Sequence, residues 1–191
     1  MAHDPARRRI MQIGASAMVA SALPAAAAVS AAVDRRFLTA LGRSPRPPSP
    51  VGDYVPIRRS GQLLFLSTTT ARTNGVPDYR GTIGGDLSID EGRKAARAAA
   101  LAMLETIWQE LGGTLAPVSQ ILNMIGYVVS ADGFHDQASV MDGATAVMIE
   151  VFGPDIGRSS RSAIGVKAMT GRSAIGIAGT VEVRSADASE K

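Results

Sequence analysis

Between Ser88 and Leu111, the apolar residues Leu101, Leu104, Trp108 and Leu111 recur at spacings of three and four. That spacing predicts an amphipathic helix with one buried stripe, on which the single tryptophan is core rather than a binding platform. Ser88 followed by Glu91 forms a capping box at its start, and Gly112-Gly113 ends it. A second helix is predicted from His135 to Phe152, with Val140, Val147, Met148 and Val151 along one side and Gly153-Pro154 as its stop. Elsewhere the pattern is that of strands. Tyr54–Arg59 and Leu63–Thr69 flank a Ser60-Gly61-Gln62 turn, and Gln120–Ser130 is a strongly apolar run. The stretch "RSAIGVKAMTGRSAIGIAGTVEV" (Arg161 to Val183) adds two closing strands around a Thr-Gly turn. The order after residue 53 is β-β-α-β-α-β-β, an α+β arrangement.

Two long helices cover only one face of such a sheet. In the last strand Ile175, Ile177, Val181 and Val183 share one face, and Gly176, Ala178 and Thr180 share the other. The second set is small and uncharged, so burial against another copy of the chain is predicted for it. Before the domain, Asp34–Gly42 predicts a short helix closed by glycine. The Pro-rich Arg43–Asp53 predicts an extended linker. The polar, Gly-rich Arg72–Asp86 segment predicts a long loop, either a surface connection or a ligand lid.

Residues 1–32 read differently. A basic start with Arg7, Arg8 and Arg9 precedes a weakly apolar stretch from Ile10 to Leu23, then Pro24 and small residues. This layout resembles a twin-arginine (Tat) export signal, with cleavage expected near Ala31–Val33 and a periplasmic or otherwise exported product that has no membrane attachment after cleavage. An uncleaved membrane anchor and a cytoplasmic protein with an alanine-rich tail are the alternatives. Under the Tat reading, lysine at both Arg7 and Arg8 holds the precursor inside the cell. The segments are thus a leader over 1–32, a helix and linker over 33–53, a domain over 54–184 and a tail over 185–191.

Composition narrows the chemistry. The formal charge is +3, of which Arg7, Arg8 and Arg9 against Asp4 supply +2, so the remainder is nearly neutral and nucleic acid is not an expected partner. There is no cysteine, which excludes disulfides, thiolate nucleophiles and cysteine-held zinc. His3 lies in the leader, and His135 in "GFHDQ" reads as a solvated residue at a helix start. No metal and no organic cofactor is expected.

The stretches "PVGDYVPIRRSGQLLFLS", "GFHDQASVMDGATAVMIEVFG" and "RSAIGV", in this order and spacing, resemble the RidA/YjgF family. The resemblance runs from about Arg36 to Arg184 and points to a branch with an N-terminal helix and a Pro-rich lead-in. It implies a chorismate-mutase-like fold, a homotrimer of barrel-like form with clefts between subunits, and cofactor-free hydrolysis of 2-imino acids to 2-oxo acids. By position, Arg161 matches the arginine that clamps the substrate carboxylate, a task suited to a planar guanidinium fork. Tyr54 matches a cleft tyrosine, and Ser67 the serine of a Ser-Gly pair.

The departures from that pattern bear on activity. The Ser-Gly pair is Ser67-Thr68, the family's Leu-Pro turn is Met169-Thr170, and the water-positioning glutamate falls on Gly176, with Ala178 at a second acidic position. Glu182 lies six residues beyond Gly176, about 20 Å along a strand, too far to replace it. Asp142 and Glu150 sit on the second helix, and the pattern does not place them in the cleft. The expectation is a protein that binds a small carboxylate-bearing metabolite through Arg161, Tyr54, Ser67 and Thr68, with weak or altered imine deaminase activity. A fully active deaminase is the alternative, and a ribonuclease or translation inhibitor a more distant one.

Overall fold

The computed structural model describes residues 22–185; the Arg7–Arg9 motif and residues 186–191 lie outside them. The first element, α1 (Ala22–Leu41), begins well before the predicted Asp34 and passes through residues 32 and 33 without a break. Its alanine-rich N-terminal part has a strong intrinsic helix preference. Val33 and Phe37, four residues apart, turn inward, and the Phe37 ring packs on Trp108 with centroids 5.3 Å apart. The Asp34 carboxylate accepts from Leu115 N–H (2.8 Å) and the Thr114 hydroxyl (2.7 Å), and Arg36 Nε donates to the Val151 carbonyl (2.7 Å). These bonds dock the helix on the domain.

The main sheet has five strands: β1 (Ile57–Ser60), β2 (Leu63–Thr69), β5 (Val118–Val129), β6 (Ser160–Val166) and β7 (Ile175–Val183). Their spatial order is β1-β2-β7-β5-β6, antiparallel except for the β5–β6 pair. That parallel pair requires a crossover, supplied by α3 (Gln137–Phe152) and the short α4 (Pro154–Gly157). The first strand starts later than the predicted Tyr54, because Pro56 has no N–H to donate to a ladder. The predicted loop over Arg72–Asp86 contains a small hairpin of its own, β3 (Arg72–Thr73) and β4 (Val76–Pro77). Its two-residue turn is Asn74-Gly75, with φ of 52° and 79°, the left-handed pair that a tight hairpin needs.

The α2 helix (Ile89–Glu110) starts at the predicted capping box: Ser88 Oγ accepts from Glu91 N–H, and Ser88 N–H donates to Glu91 Oε2 at 2.8 Å. The Ser88 amide and hydroxyl hold the Glu91 carboxyl below its ordinary value. The box therefore contributes fully above the usual carboxylate range and loosens as pH falls through the lowered value. α2 and α3 lie side by side on one face of the sheet, and Val140, Val147, Met148 and Val151 are buried as their spacing predicts. Gly143 makes the close approach possible, since a Cβ there would overlap the Arg93 backbone carbonyl. No described element covers the opposite face of the sheet, where Phe65 and Ile164 are 46% and 43% exposed. No helix among the described residues is long and apolar enough to cross a membrane.

Candidate functional site

The Pro-rich segment is not a free linker. Glu105 of α2, whose side chain is 2% exposed, accepts from Arg43 Nη1 (2.6 Å) and Nη2 (3.0 Å) and from the Arg46 backbone N–H. A fork of two parallel N–H donors on one carboxylate is among the stronger side-chain pairings. It pins the segment so that Pro48–Pro56 runs as a strap past the end of β2. The strap meets that strand where Ser67 N–H and Ser67 Oγ both donate to the Pro56 carbonyl (3.0 and 3.3 Å).

The end of β2 is irregular. Leu66 pairs with Gly179 and Thr69 with Ile177, so three steps on β2 face two on β7. Such a bulge re-aims the side chains around it, here Ser67 and Thr68. Between the strap, the bulge, Tyr127 of β5 and the β6–β7 connection lies a cavity of about 520 Å³. Tyr54, Ser67 and Thr68 all line it, so three of the four binding residues expected from the sequence come together. Nine of the seventeen lining residues carry a hydroxyl, although most of the lining surface is apolar. Four of these hydroxyls donate within the protein: Ser67 Oγ to the Pro56 carbonyl, Thr69 Oγ1 to the Ser67 carbonyl (3.3 Å), Thr70 Oγ1 to the Ile175 carbonyl (3.2 Å) and Thr106 Oγ1 to the Ala102 carbonyl (2.9 Å).

Arg161 is elsewhere. It sits opposite the buried Met124 in the β5–β6 register, which places it on the helix-covered side of the sheet. Its Nη1 donates to Asp142 Oδ1 (3.0 Å) and Thr145 Oγ1 (2.7 Å), and its Nη2 to the Ala138 carbonyl (3.2 Å). All three acceptors belong to α3. Arg161→Ala is therefore expected to lower stability by about 1–3 kcal/mol, because it removes three bonds at a mostly buried site. Arg161→Lys should recover part of this through its charge alone. Urea denaturation measures both; unchanged stability in the alanine variant would mean that the guanidinium is free in solution to serve a ligand.

The other residues weighed from sequence find structural partners. Asp142 holds Arg161, Glu150 receives Arg97 Nη1 (2.8 Å), and Glu182 accepts from Ser119 Oγ (3.0 Å). His135 is exposed ahead of α3. None of these lines the cavity. Its cation is instead Arg72, which sequence reasoning passed over as part of a polar loop. Arg72 Nη1 donates to the Gly75 carbonyl (2.9 Å) and Nη2 reaches the Thr170 carbonyl (3.4 Å), and no carboxylate pairs with it among the described residues. The signal that could have found it is the Asn74-Gly75 dipeptide, which turns the hairpin that presents Arg72.

Gly176 has a different setting from the one expected. It pairs with Tyr127 on the uncovered face of the sheet, yet it is buried rather than open to the cleft. A Cβ at this position would overlap the Met169 methyl and come within 2.6 Å of Thr68 Cγ2. The small residue on the last strand does not leave a hole, because Met169 and Thr68 fill the space above it. Both fillers also line the cavity, so its floor is a thioether and a threonine methyl. No cluster of three His, Cys, Asp or Glu side chains able to hold a metal occurs among the described residues.

Residues 34–177 match the family described as "YjgF/chorismate_mutase-like, putative endoribonuclease". The chain is 30% identical over 139 residues to Protein TCP17 of Trypanosoma cruzi, covering 73% of this chain and 86% of that one. Its fold is similar to that of Atu1372, a protein of unknown function from Agrobacterium tumefaciens, at 26% identity and a TM-score of 0.75 over 85% and 99% of the two chains. It is also similar to the structure of a "putative endoribonuclease" from Shewanella oneidensis MR-1, at 26% identity and a TM-score of 0.72 over 78% and 99%. With this fold and a match across most of its length, the chain belongs to the RidA/YjgF family, whose fold is chorismate-mutase-like.

Proposed function

We propose that this is an exported, homotrimeric member of the family that holds a small carboxylate-bearing metabolite of the 2-imino- or 2-oxo-acid type, with weak or altered imine and enamine deaminase activity. One observation carries the reading: the described lining of the cavity contains one arginine and many hydroxyls, but no carboxylate and no imidazole. An anion has a counter-charge there, whereas a hydrolytic water has no side-chain base to orient it. The same lining gives an RNA-cleaving reaction no general acid–base pair. Arg72 is the cation that meets the carboxylate within one chain, since Arg161 reaches a ligand only by releasing Asp142 and Thr145. The exposed Phe65 and Ile164 on the uncovered face support the trimer, because an apolar sheet face of this kind is stabilised by burial against another copy.

The test is calorimetry with 2-oxobutanoate beside an imine-hydrolysis assay on the purified full chain, with its mass taken by light scattering. Binding without substantial turnover, on a particle of three chains, is the expected result. Robust deamination by the wild type would overturn the binding reading in favour of an active deaminase, and a stable monomer would remove the subunit contact.

A further inference from the structure

A second depression, of about 440 Å³, adjoins the cavity and shares Arg72 and Pro48–Val51 with it. Its own lining adds Arg43, Arg46, Thr73 and Asn74. Three arginines thus border one space between the strap and the Asn74-Gly75 hairpin. Among the described residues only Arg43 has a carboxylate partner, the buried Glu105, so this wall carries a net charge of about +2 by simple pairing of opposite charges. Both walls are held by independent means: the strap by the Glu105 fork, the hairpin by its turn. A surface that crowds like charges without neutralising them is stabilised when an anion enters.

We infer that the ligand carries a second anionic group, and that the arginine-lined depression receives it while the rest of the molecule occupies the hydroxyl-lined cavity. This rests on the binding function proposed above and sharpens its ligand class to a small dicarboxylate. Arg72, which borders both spaces, lies between the two ends, and Arg46 faces only the second. Guanidinium forks suit the planar oxygens of a second carboxylate.

The matched probes are 2-oxopentanoate and 2-oxoglutarate, which share a five-carbon chain and differ only in a methyl or a carboxylate at the far end. The dicarboxylate is expected to bind at least tenfold more tightly to the full chain at low ionic strength. Its advantage should shrink as salt rises. Arg46→Ala should bring the ratio of the two affinities close to one. That variant keeps the strap anchored, because Arg46 meets Glu105 through its backbone amide, which alanine retains. Arg72→Ala should weaken both probes. Equal affinities in the wild type, or an advantage that survives Arg46→Ala, would overturn the second site while leaving the single-carboxylate reading intact. Binding of neither probe would overturn both.

Discussion

Replacing Glu105 by alanine is expected to cost about 2–4 kcal/mol of stability and to abolish ligand binding, although the residue does not touch the cavity. Its carboxylate is almost fully buried and takes three hydrogen bonds from Arg43 and Arg46. Breaking a fully buried pair costs about 3–5 kcal/mol, much of it from the charge left behind. Here the Arg43 side chain is 48% exposed and can rehydrate, which places the cost at the lower end. The larger effect is on geometry. With its pin gone, the strap no longer holds Pro48, Pro50 and Tyr54 against the end of β2. Trypsin should then cut after Arg43 at least ten times faster, since that bond leaves the protection of α2. Glu105→Gln, which keeps the shape and some of the acceptor capacity, should fall between the two. A Glu105→Ala protein with wild-type stability and unchanged tryptic cleavage would show that the strap is held by other contacts.

The second large effect concerns the filled space over Gly176. Gly176→Glu alone should be destabilising by about 1–3 kcal/mol, because its first side-chain carbon already overlaps Met169 and crowds Thr68. Restoring the family's carboxylate therefore takes three changes together: Thr68→Gly, Met169→Ala and Gly176→Glu. The first two clear the floor of the cavity, and the third supplies a group able to position water. Such a group contributes about 10²–10⁴-fold to a hydrolytic step. The triple variant is expected to gain imine hydrolysis of that order over the wild type, measured by trapping the imine from an amino-acid oxidase with semicarbazide. A folded triple variant that binds 2-oxobutanoate yet hydrolyses no faster than wild type would show that the missing glutamate is not what limits the reaction.

The sequence carried the parts of this molecule that rest on local chemistry. The capping box at Ser88, the glycine stops and the period of the two long helices all sit in short windows, and each element lies within a few residues of its predicted place. The face of Ile175, Ile177, Val181 and Val183 followed from alternation alone. The remainder depended on partners far along the chain. Glu105 reads as one more solvated glutamate until Arg43, 62 residues earlier, folds onto it. Gly176 reads as a vacancy until the β6–β7 connection brings Met169 over it, a path that involves Arg172 at a φ of 63° and that no periodicity announces. Arg161 illustrates a different limit. Position within a motif suggested a ligand clamp, but the acceptors that occupy it are side chains and a carbonyl on a helix whose rotation about its axis is a matter of packing.

The strap has one more consequence, for the thermodynamics of binding. Five of the fourteen residues from Arg43 to Pro56 are prolines, and each has its φ fixed before any ligand arrives. A wall of this composition surrenders little conformational freedom when a molecule settles against it, unlike a glycine-rich lid that must be ordered at that moment. Occupancy should accordingly change the backbone disorder of the strap very little, and the entropic penalty of recognition should fall mainly on the rotatable arms of Arg72 and Arg46.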